Sequence, residues 1–110
     1  MRESSEPLST VSPPAGASGG GSAHGAVVLA KHLHARPAGQ VARVAARYAA
    51  RYQAGTIELA AGSRRANARS VLAVMALGAV RGNEVEISVS GPDAEAVLTE
   101  IVEILLAPEE

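Results

Sequence analysis

Two hydrophobic periodicities alternate along this chain, and their order leaves few folds open to it. Stretches typical of strands, apolar and β-branched or with a repeat of two residues, occur at 26–30, 56–60, 65–68 and 84–90. Stretches with helical spacing cover 36–54, 71–77 and a last segment after Asp93. The order β-α-β-β-α-β-α predicts an α+β domain with helices on one face of a mainly antiparallel sheet.

The predicted helices carry recognisable start signals. Pro37 stands in a first turn, where a helix tolerates proline because the amide there has no intrahelical partner. Ser70 and Asp93 are predicted N-caps of the second and third helices. The third helix is expected to bury Val97, Leu98, Ile101, Ile104 and Leu105.

The first 25 residues differ in composition from the rest of the chain. They hold six Ser, five Gly and three Pro, and such a segment buries too little apolar surface to offset its ordering entropy. The sequence therefore predicts a flexible tail at 1–25 and one folded domain at 26–107.

Composition excludes several classes of function. Apolar residues make up 47% of the chain, yet there is no Phe or Trp and there are two Tyr, which argues against stacking platforms for single-stranded nucleic acid. The absence of Cys excludes disulfides and thiol chemistry. The longest apolar stretch, 71–80, is shorter than the roughly 20 residues that span a bilayer, and the N-terminus lacks a signal-peptide pattern. A cytoplasmic, monomeric protein without membrane insertion is expected.

Charge is segregated along the sequence. Residues 31–81 carry nine cations and one acid, whereas residues 82–110 carry eight acids and no cation. Arg43, Arg47 and Arg51 form a helical stripe that is either a solvated face or a surface for an acidic or phosphorylated partner. A basic nucleic-acid-binding module is the alternative from a different class, but the chain lacks a Gly-x-x-Gly clamp and paired aromatic strands.

The candidate reactive residues lie in one segment between the first predicted strand and the first predicted helix, Leu33-His34-Ala35-Arg36-Pro37-Ala38. A helix N-terminus attracts anions, and an arginine can fork onto phosphate oxygens. An imidazole nitrogen that lacks its proton is a nucleophile. The arrangement suggests a histidine that accepts and passes on a phosphoryl group, although a His near an Arg is also common as a simple cap or surface detail.

A metal site is the weaker interpretation of the histidines. His24, His32 and His34 have no Cys or carboxylate nearby in the sequence, and a His-x-His pair alone is a poor metal signal. Neither a metal nor another cofactor is expected.

The segment His34-Ala35-Arg36-Pro37-Ala38 resembles the active-site motif of the HPr family, the histidine-containing phosphocarriers of the bacterial phosphoenolpyruvate:sugar phosphotransferase system. A second block, Arg69-Ser70-Val71-Leu72-Ala73-Val74-Met75-Ala76-Leu77-Gly78, resembles the family's regulatory-serine segment and the short helix after it. The resemblance covers residues 26–106. It implies an open-faced β-sandwich, with a four-stranded antiparallel sheet covered on one face by three helices.

The resemblance also implies roles for individual residues. His34 would be phosphorylated on Nδ1 by phospho-Enzyme I, whose phosphoryl group comes from phosphoenolpyruvate, and Arg36 would steady that group beside Pro37. Ser70 matches the serine that an HPr kinase/phosphorylase modifies in some bacteria. The residues Val71, Leu72 and Met75 match the apolar patch on which partners dock. The acceptors would be Enzyme IIA-type proteins, and the carrier itself would not be an enzyme.

The chain departs from the family pattern in three places. His32 stands where Gly is usual, Lys31 stands where Asn or Thr is common, and about five extra residues fall at 48–53. Two branches of the family stay open: one feeds sugar import, and the other is regulatory, through the nitrogen-linked system or a dihydroxyacetone kinase.

Overall fold

The structure, a computed structural model, describes residues 21–108. Seven elements follow in the predicted order, confirming the β-α-β-β-α-β-α arrangement. The elements are β1 (Ser22–Val28), α1 (Ala35–Arg51), β2 (Thr56–Ala61), β3 (Arg64–Asn67), α2 (Val71–Ala76), β4 (Glu84–Ser90) and α3 (Ala94–Leu106).

The four strands form one antiparallel sheet in the order β1-β4-β2-β3. In the central strand β4, Val85, Ile87 and Val89 are fully buried, whereas the residues between them point to the other face. This two-residue alternation leaves one face of the sheet for the core and one for solvent. The three helices cover the apolar face, so the predicted open-faced β-sandwich is confirmed.

The first strand begins earlier than the sequence predicted. Residues 22–25, assigned to the tail, belong to β1, where Ser22 pairs with Ser90 and Ala23 is buried. A Gly- and Ser-rich composition suggested a tail, but pairing with β4 supplies backbone hydrogen bonds that composition does not reveal. The remaining part of the predicted tail, residues 1–20, lies outside the described residues.

The helix α1 ends at Arg51, three residues earlier than predicted. A hydrogen bond joins its last turn to the loop before α3. The Tyr48 hydroxyl donates a 2.6 Å hydrogen bond to the Pro92 carbonyl. Gly91 lies under the same ring at φ +132°, and a Cβ there would come within 2.5 Å of the Tyr48 hydroxyl oxygen. A residue other than glycine therefore does not fit this turn.

Asp93 occupies the predicted N-cap position of α3, but its side chain does not cap the helix. The residue has a left-handed backbone, with φ 58° and ψ 28°, and makes no capping hydrogen bond. An N-cap side chain reaches the helix amides from an extended backbone, so this conformation directs the carboxylate elsewhere. It accepts a 2.8 Å hydrogen bond from the Tyr52 hydroxyl instead.

The helix α3 buries a narrower stripe than predicted. Val97, Ile101 and Leu105 are buried, whereas Leu98 and Ile104 are half-buried. A helix that lies at one edge of a small sheet has partners on one side only, so the flanks of its apolar stripe remain partly in solvent.

Candidate functional site

His34 is the N-cap residue of α1. Its backbone is extended, and its carbonyl accepts the first helical hydrogen bond, from the Ala38 amide at 3.1 Å. The ring nitrogen Nδ1 faces the Arg36 amide at 3.4 Å, a long contact for a hydrogen bond. Nδ1 accepts from this amide, so its lone pair is directed at the first turn of the helix.

The loop that carries His34 is fixed to the turn before β4. The Leu33 amide donates to the Ala79 carbonyl at 3.1 Å, and the Arg81 amide donates to Nδ1 of His32 at 3.3 Å. Leu33 itself is buried in the core. His32 therefore adds a contact that holds the loop in place, two positions before His34.

An open pocket of about 440 Å³ lies over the start of α1. Its lining brings together all three residues predicted for the site, His34, Arg36 and Pro37. Pro37 is buried, whereas the His34 and Arg36 side chains are exposed. None of the described residues that line the pocket is acidic. With the positive end of the helix dipole beneath it, the pocket is suited to an anion the size of a phosphoryl group.

The pocket has two further polar residues: Gln40, which the sequence did not point to, and Lys31, which it marked only as a departure from the family pattern. Gln40 lies four residues after Arg36, on the same side of α1, so helical spacing could have identified it. Lys31 gave no such signal, because lysine is seldom buried. It is nonetheless only 6% exposed and is the one buried charged residue in the described part of the chain.

Ser70 caps α2 as predicted. Its Oγ accepts a 3.0 Å hydrogen bond from the Ala73 amide, and its backbone is extended. The residue is exposed, so its hydroxyl is accessible from solvent.

The short helix α2 buries only one residue, Val74. Leu72 is 78% exposed, Met75 is 39% exposed and Val71 is half-buried. Exposed side chains of this size on one helix form an apolar surface, and α2 packs beside α1, the helix that begins at His34. We call Val71, Leu72 and Met75 the α2 patch.

The arginine stripe of α1 is partly neutralised within the domain. Arg47 pairs with Glu100 of α3 at 2.9 Å, and the Arg51 guanidinium lies 5.4 Å from the centre of the Tyr52 ring. These contacts engage two of the three stripe arginines, which weakens the case for a nucleic-acid interface.

No group of three or more potential metal-ligating side chains is found in residues 21–108. No helix in that part of the chain is long and apolar enough to cross a membrane.

These observations define a class of protein: an open-faced β-sandwich with a histidine at the N-terminus of its first helix, in an open pocket that Lys31 and Arg36 also line. Residues 23–106 match the family model described as the phosphotransferase-system HPr component phosphorylation site. The chain belongs to the HPr family of phosphocarrier proteins.

Individual relatives agree with this assignment. The chain is 39% identical over 69 residues to the phosphocarrier protein HPr of Treponema pallidum (strain Nichols), a match covering 63% of this chain and 73% of that protein. The crystal structure of HPr from Bacillus anthracis superimposes with a TM-score of 0.66 at 24% identity, over 76% of this chain and 96% of the other. The histidine-containing phosphocarrier protein of Mycoplasma gives a TM-score of 0.65 at 27% identity, over 74% and 90%.

Proposed function

We propose that this chain carries a phosphoryl group on Nδ1 of His34, receives it from phospho-Enzyme I and passes it to Enzyme IIA-type acceptors in the cytoplasm. One observation supports this most directly. The Nδ1 lone pair is directed toward the amides at the start of α1, inside a pocket that Arg36 also lines.

Transfer of the phosphoryl group between two histidines requires no proton from outside the two rings. The Nδ1 lone pair of His34 attacks phosphorus while the P–N bond to the donor histidine breaks, and the donor ring keeps that electron pair. If the other nitrogen of each ring keeps its proton, one ring gains positive charge as the other loses it. The same step in reverse direction delivers the group to the acceptor.

The protein's contribution is positioning and charge stabilisation, which phosphoryl transfer mostly requires. A phosphoryl group on Nδ1 would bring its oxygens toward the amides of Ala35 and Arg36 in the first turn, which have no backbone partner within the helix and can donate. The Arg36 guanidinium, exposed at the same pocket, supplies a fixed positive charge.

The α2 patch is proposed as the surface that both donor and acceptor contact. Exposed apolar residues on the helix that packs against α1 would bury surface when a partner docks there to reach His34. Sugar-linked acceptors, nitrogen-linked acceptors and a dihydroxyacetone kinase system would present different surfaces to this patch. Transfer from the phosphorylated chain to each purified acceptor distinguishes the sugar branch from the regulatory branch.

Phosphorylation of Ser70 by an HPr kinase/phosphorylase is proposed as a control on docking. The modification adds a charge of about −1.5 to −2 at a helix N-terminus, where negative charge is favourable, so the fold should survive. The same charge at the edge of the α2 patch would oppose an acidic partner. We expect Ser70→Asp to keep the thermal midpoint and to slow phosphorylation by Enzyme I.

The decisive experiment is phosphorylation with phosphoenolpyruvate and Enzyme I. The wild type should gain one acid-labile phosphate, and His34→Ala should gain none. His32→Ala is the matched control, because that residue lies two positions away and outside the pocket lining, and it should still be labelled. Arg36→Ala should be labelled more slowly, since only the charge contact is lost. An acid-labile label on His34→Ala would refute the assignment.

A further inference from the structure

The buried cation of the pocket is the feature that the family resemblance leaves unexplained. Lys31 is 6% exposed and lines the same pocket as His34 and Arg36. Within the described part of the chain, the structure shows no hydrogen bond or ion pair for its ammonium group. A lysine buried to this extent gives up hydration of its side chain, and the described residues offer its charge no anion in exchange.

We propose that Lys31 is a phosphate-binding residue of this chain, and that its ammonium group contacts the phosphoryl oxygens when His34 is phosphorylated. This deepens the proposed function, on which it rests. A phosphoryl dianion would give this ammonium group the anionic partner that the described residues do not supply, and an ammonium group offers three donors to its oxygens. The pocket then holds two cations, Lys31 and Arg36, together with the amides at the start of α1.

The side chain that is common at this position, Asn or Thr, is neutral. A neutral amide or hydroxyl can also donate to phosphoryl oxygens, but it places no charge in the pocket of the unphosphorylated chain. A buried lysine acts in opposite directions on the two states: its charge destabilises the unphosphorylated pocket and stabilises the phosphorylated one. The substitution therefore shifts the balance of this carrier toward its phosphorylated form.

The proposal predicts that removing the Lys31 charge has opposite effects on the unphosphorylated and phosphorylated chains. A purely structural role of Lys31 would not produce opposite effects. Lys31→Met keeps the length of the side chain and removes its charge. The unphosphorylated variant should have an equal or higher thermal midpoint than the wild type. Phosphorylation should raise the midpoint of the wild type and raise that of the variant by less.

Phosphoramidate is the phosphoryl donor for this experiment, because it needs no Enzyme I. A P–N bond forms to His34 as the P–N bond to ammonia breaks, and ammonia leaves. The spontaneous hydrolysis of the phosphohistidine is then followed at constant pH. We expect hydrolysis roughly 10- to 100-fold faster in Lys31→Met, the range that a charge-assisted hydrogen bond spans.

Two controls separate local contact from overall charge. Lys31→Arg keeps a cation at this position and should retain most of the wild-type lifetime. Arg43→Met removes an exposed cation from α1, outside the pocket lining, and should leave the lifetime unchanged. Binding of inorganic phosphate to the unphosphorylated chain, followed by the amide resonances of Arg36 and Ala38, gives an independent measurement and should weaken in Lys31→Met.

The outcomes distinguish this proposal from the proposed function. If Enzyme I fails to label the wild type but phosphate binding depends on Lys31, the carrier function is wrong and the Lys31 site stands. If Lys31→Met lowers the midpoint of the unphosphorylated chain, and leaves phosphohistidine lifetime and phosphate binding unchanged, Lys31 is a structural residue and the proposal is overturned.

Discussion

Replacing Tyr48 by Phe tests how the longer first helix is anchored to the rest of the domain. The Tyr48 ring is buried, and its hydroxyl donates a 2.6 Å hydrogen bond to the Pro92 carbonyl. The variant keeps the ring and loses one donor. Removing one partner of a buried hydrogen bond costs about 1–3 kcal/mol, and this bond is only partly buried, so the lower half of that range is expected.

The cost corresponds to a measurable shift in melting temperature. For a domain of this size, 1 kcal/mol at the midpoint shifts the melting temperature by about 4–8 °C. Tyr48→Phe should therefore melt roughly 4–16 °C below the wild type at neutral pH, as measured by circular dichroism. Tyr52→Phe is the matched control, because the Tyr52 hydroxyl bonds to Asp93 at the surface, and it should shift the midpoint far less.

The pH dependence supplies the second arm of this prediction. Burial raises the pKa of Tyr48 above its usual value of 10.0, and the neighbouring Tyr52 and Asp93 add to the effect. The folded state thus holds this proton more tightly than the unfolded state does. The resulting stability is present below the unfolded pKa, about 10, and is lost as the pH rises through the raised folded pKa. The stability gap between wild type and Tyr48→Phe should be constant from pH 7 to 9 and shrink above pH 10.

Two results would refute this reasoning. Equal midpoints for Tyr48→Phe and Tyr52→Phe would mean that the hydroxyl bond to Pro92 does not anchor α1. A gap that stays constant to pH 11 would mean that the proton of Tyr48 is not held more tightly in the folded state.

Three further predictions concern stability alone. Ser70→Ala removes the cap of α2 and should cost about 0.5–2 kcal/mol in urea unfolding, whereas Ser70→Thr should cost less. A chain that begins at Gly21 should match the full chain in thermal midpoint. A chain that begins at Gly25 loses part of β1 and the buried Ala23, so it should be less stable by about 1–3 kcal/mol. Equal midpoints for the two shortened chains would contradict the start of β1 at Ser22. Asp93→Ala should cost about 1–2 kcal/mol because of its left-handed backbone, and Asp93→Gly should recover most of that loss, as read from the urea midpoint.

The order of the elements could be predicted from sequence because each carries its own periodicity. Strand β4 was predicted at 84–90, its observed range, since Val85, Ile87 and Val89 alternate with polar residues. The N-cap of α2 was also predictable, because Ser70 precedes an apolar run that has no competing cap. These are local signals that tertiary packing did not override.

The errors arise where a contact distant in sequence decides the structure. Ser22 and Ala23 become a strand only because β4 pairs with them, and their Gly- and Ser-rich surroundings suggest a tail. Asp93 was predicted to cap α3 with its side chain, yet it has a left-handed backbone in the turn after Gly91. The burial of Lys31 depends on the conformation of the loop before α1. Residue type alone predicts that a lysine is exposed.

The arrangement of charge around the site links docking to its proposed control. Cations of the first half of the chain surround the pocket and α2: Lys31 and Arg36 line the pocket, and the exposed Arg69 directly precedes Ser70. Of the described acids after residue 81, Glu84 and Glu86 lie on β4, Asp93 precedes α3, and three lie on α3 itself, Glu95, Glu100 and Glu103. A partner that carries negative charge or a phosphoryl group would therefore be drawn toward the end of the domain that bears His34.

A phosphate on Ser70, or its partial mimic aspartate, would act mainly on this attraction. The added charge cancels part of the field of Arg69 and its neighbours, so it should lower the association rate with Enzyme I more than the rate of transfer within the complex. Because exposed charges are screened over about 10 Å at 0.1 M salt and about 3 Å at 1 M, the difference between wild type and Ser70→Asp should narrow as salt is raised. Stopped-flow measurement of phosphorylation across that range tests this directly. A defect in Ser70→Asp that is independent of salt would instead place the effect in the apolar contact of the α2 patch.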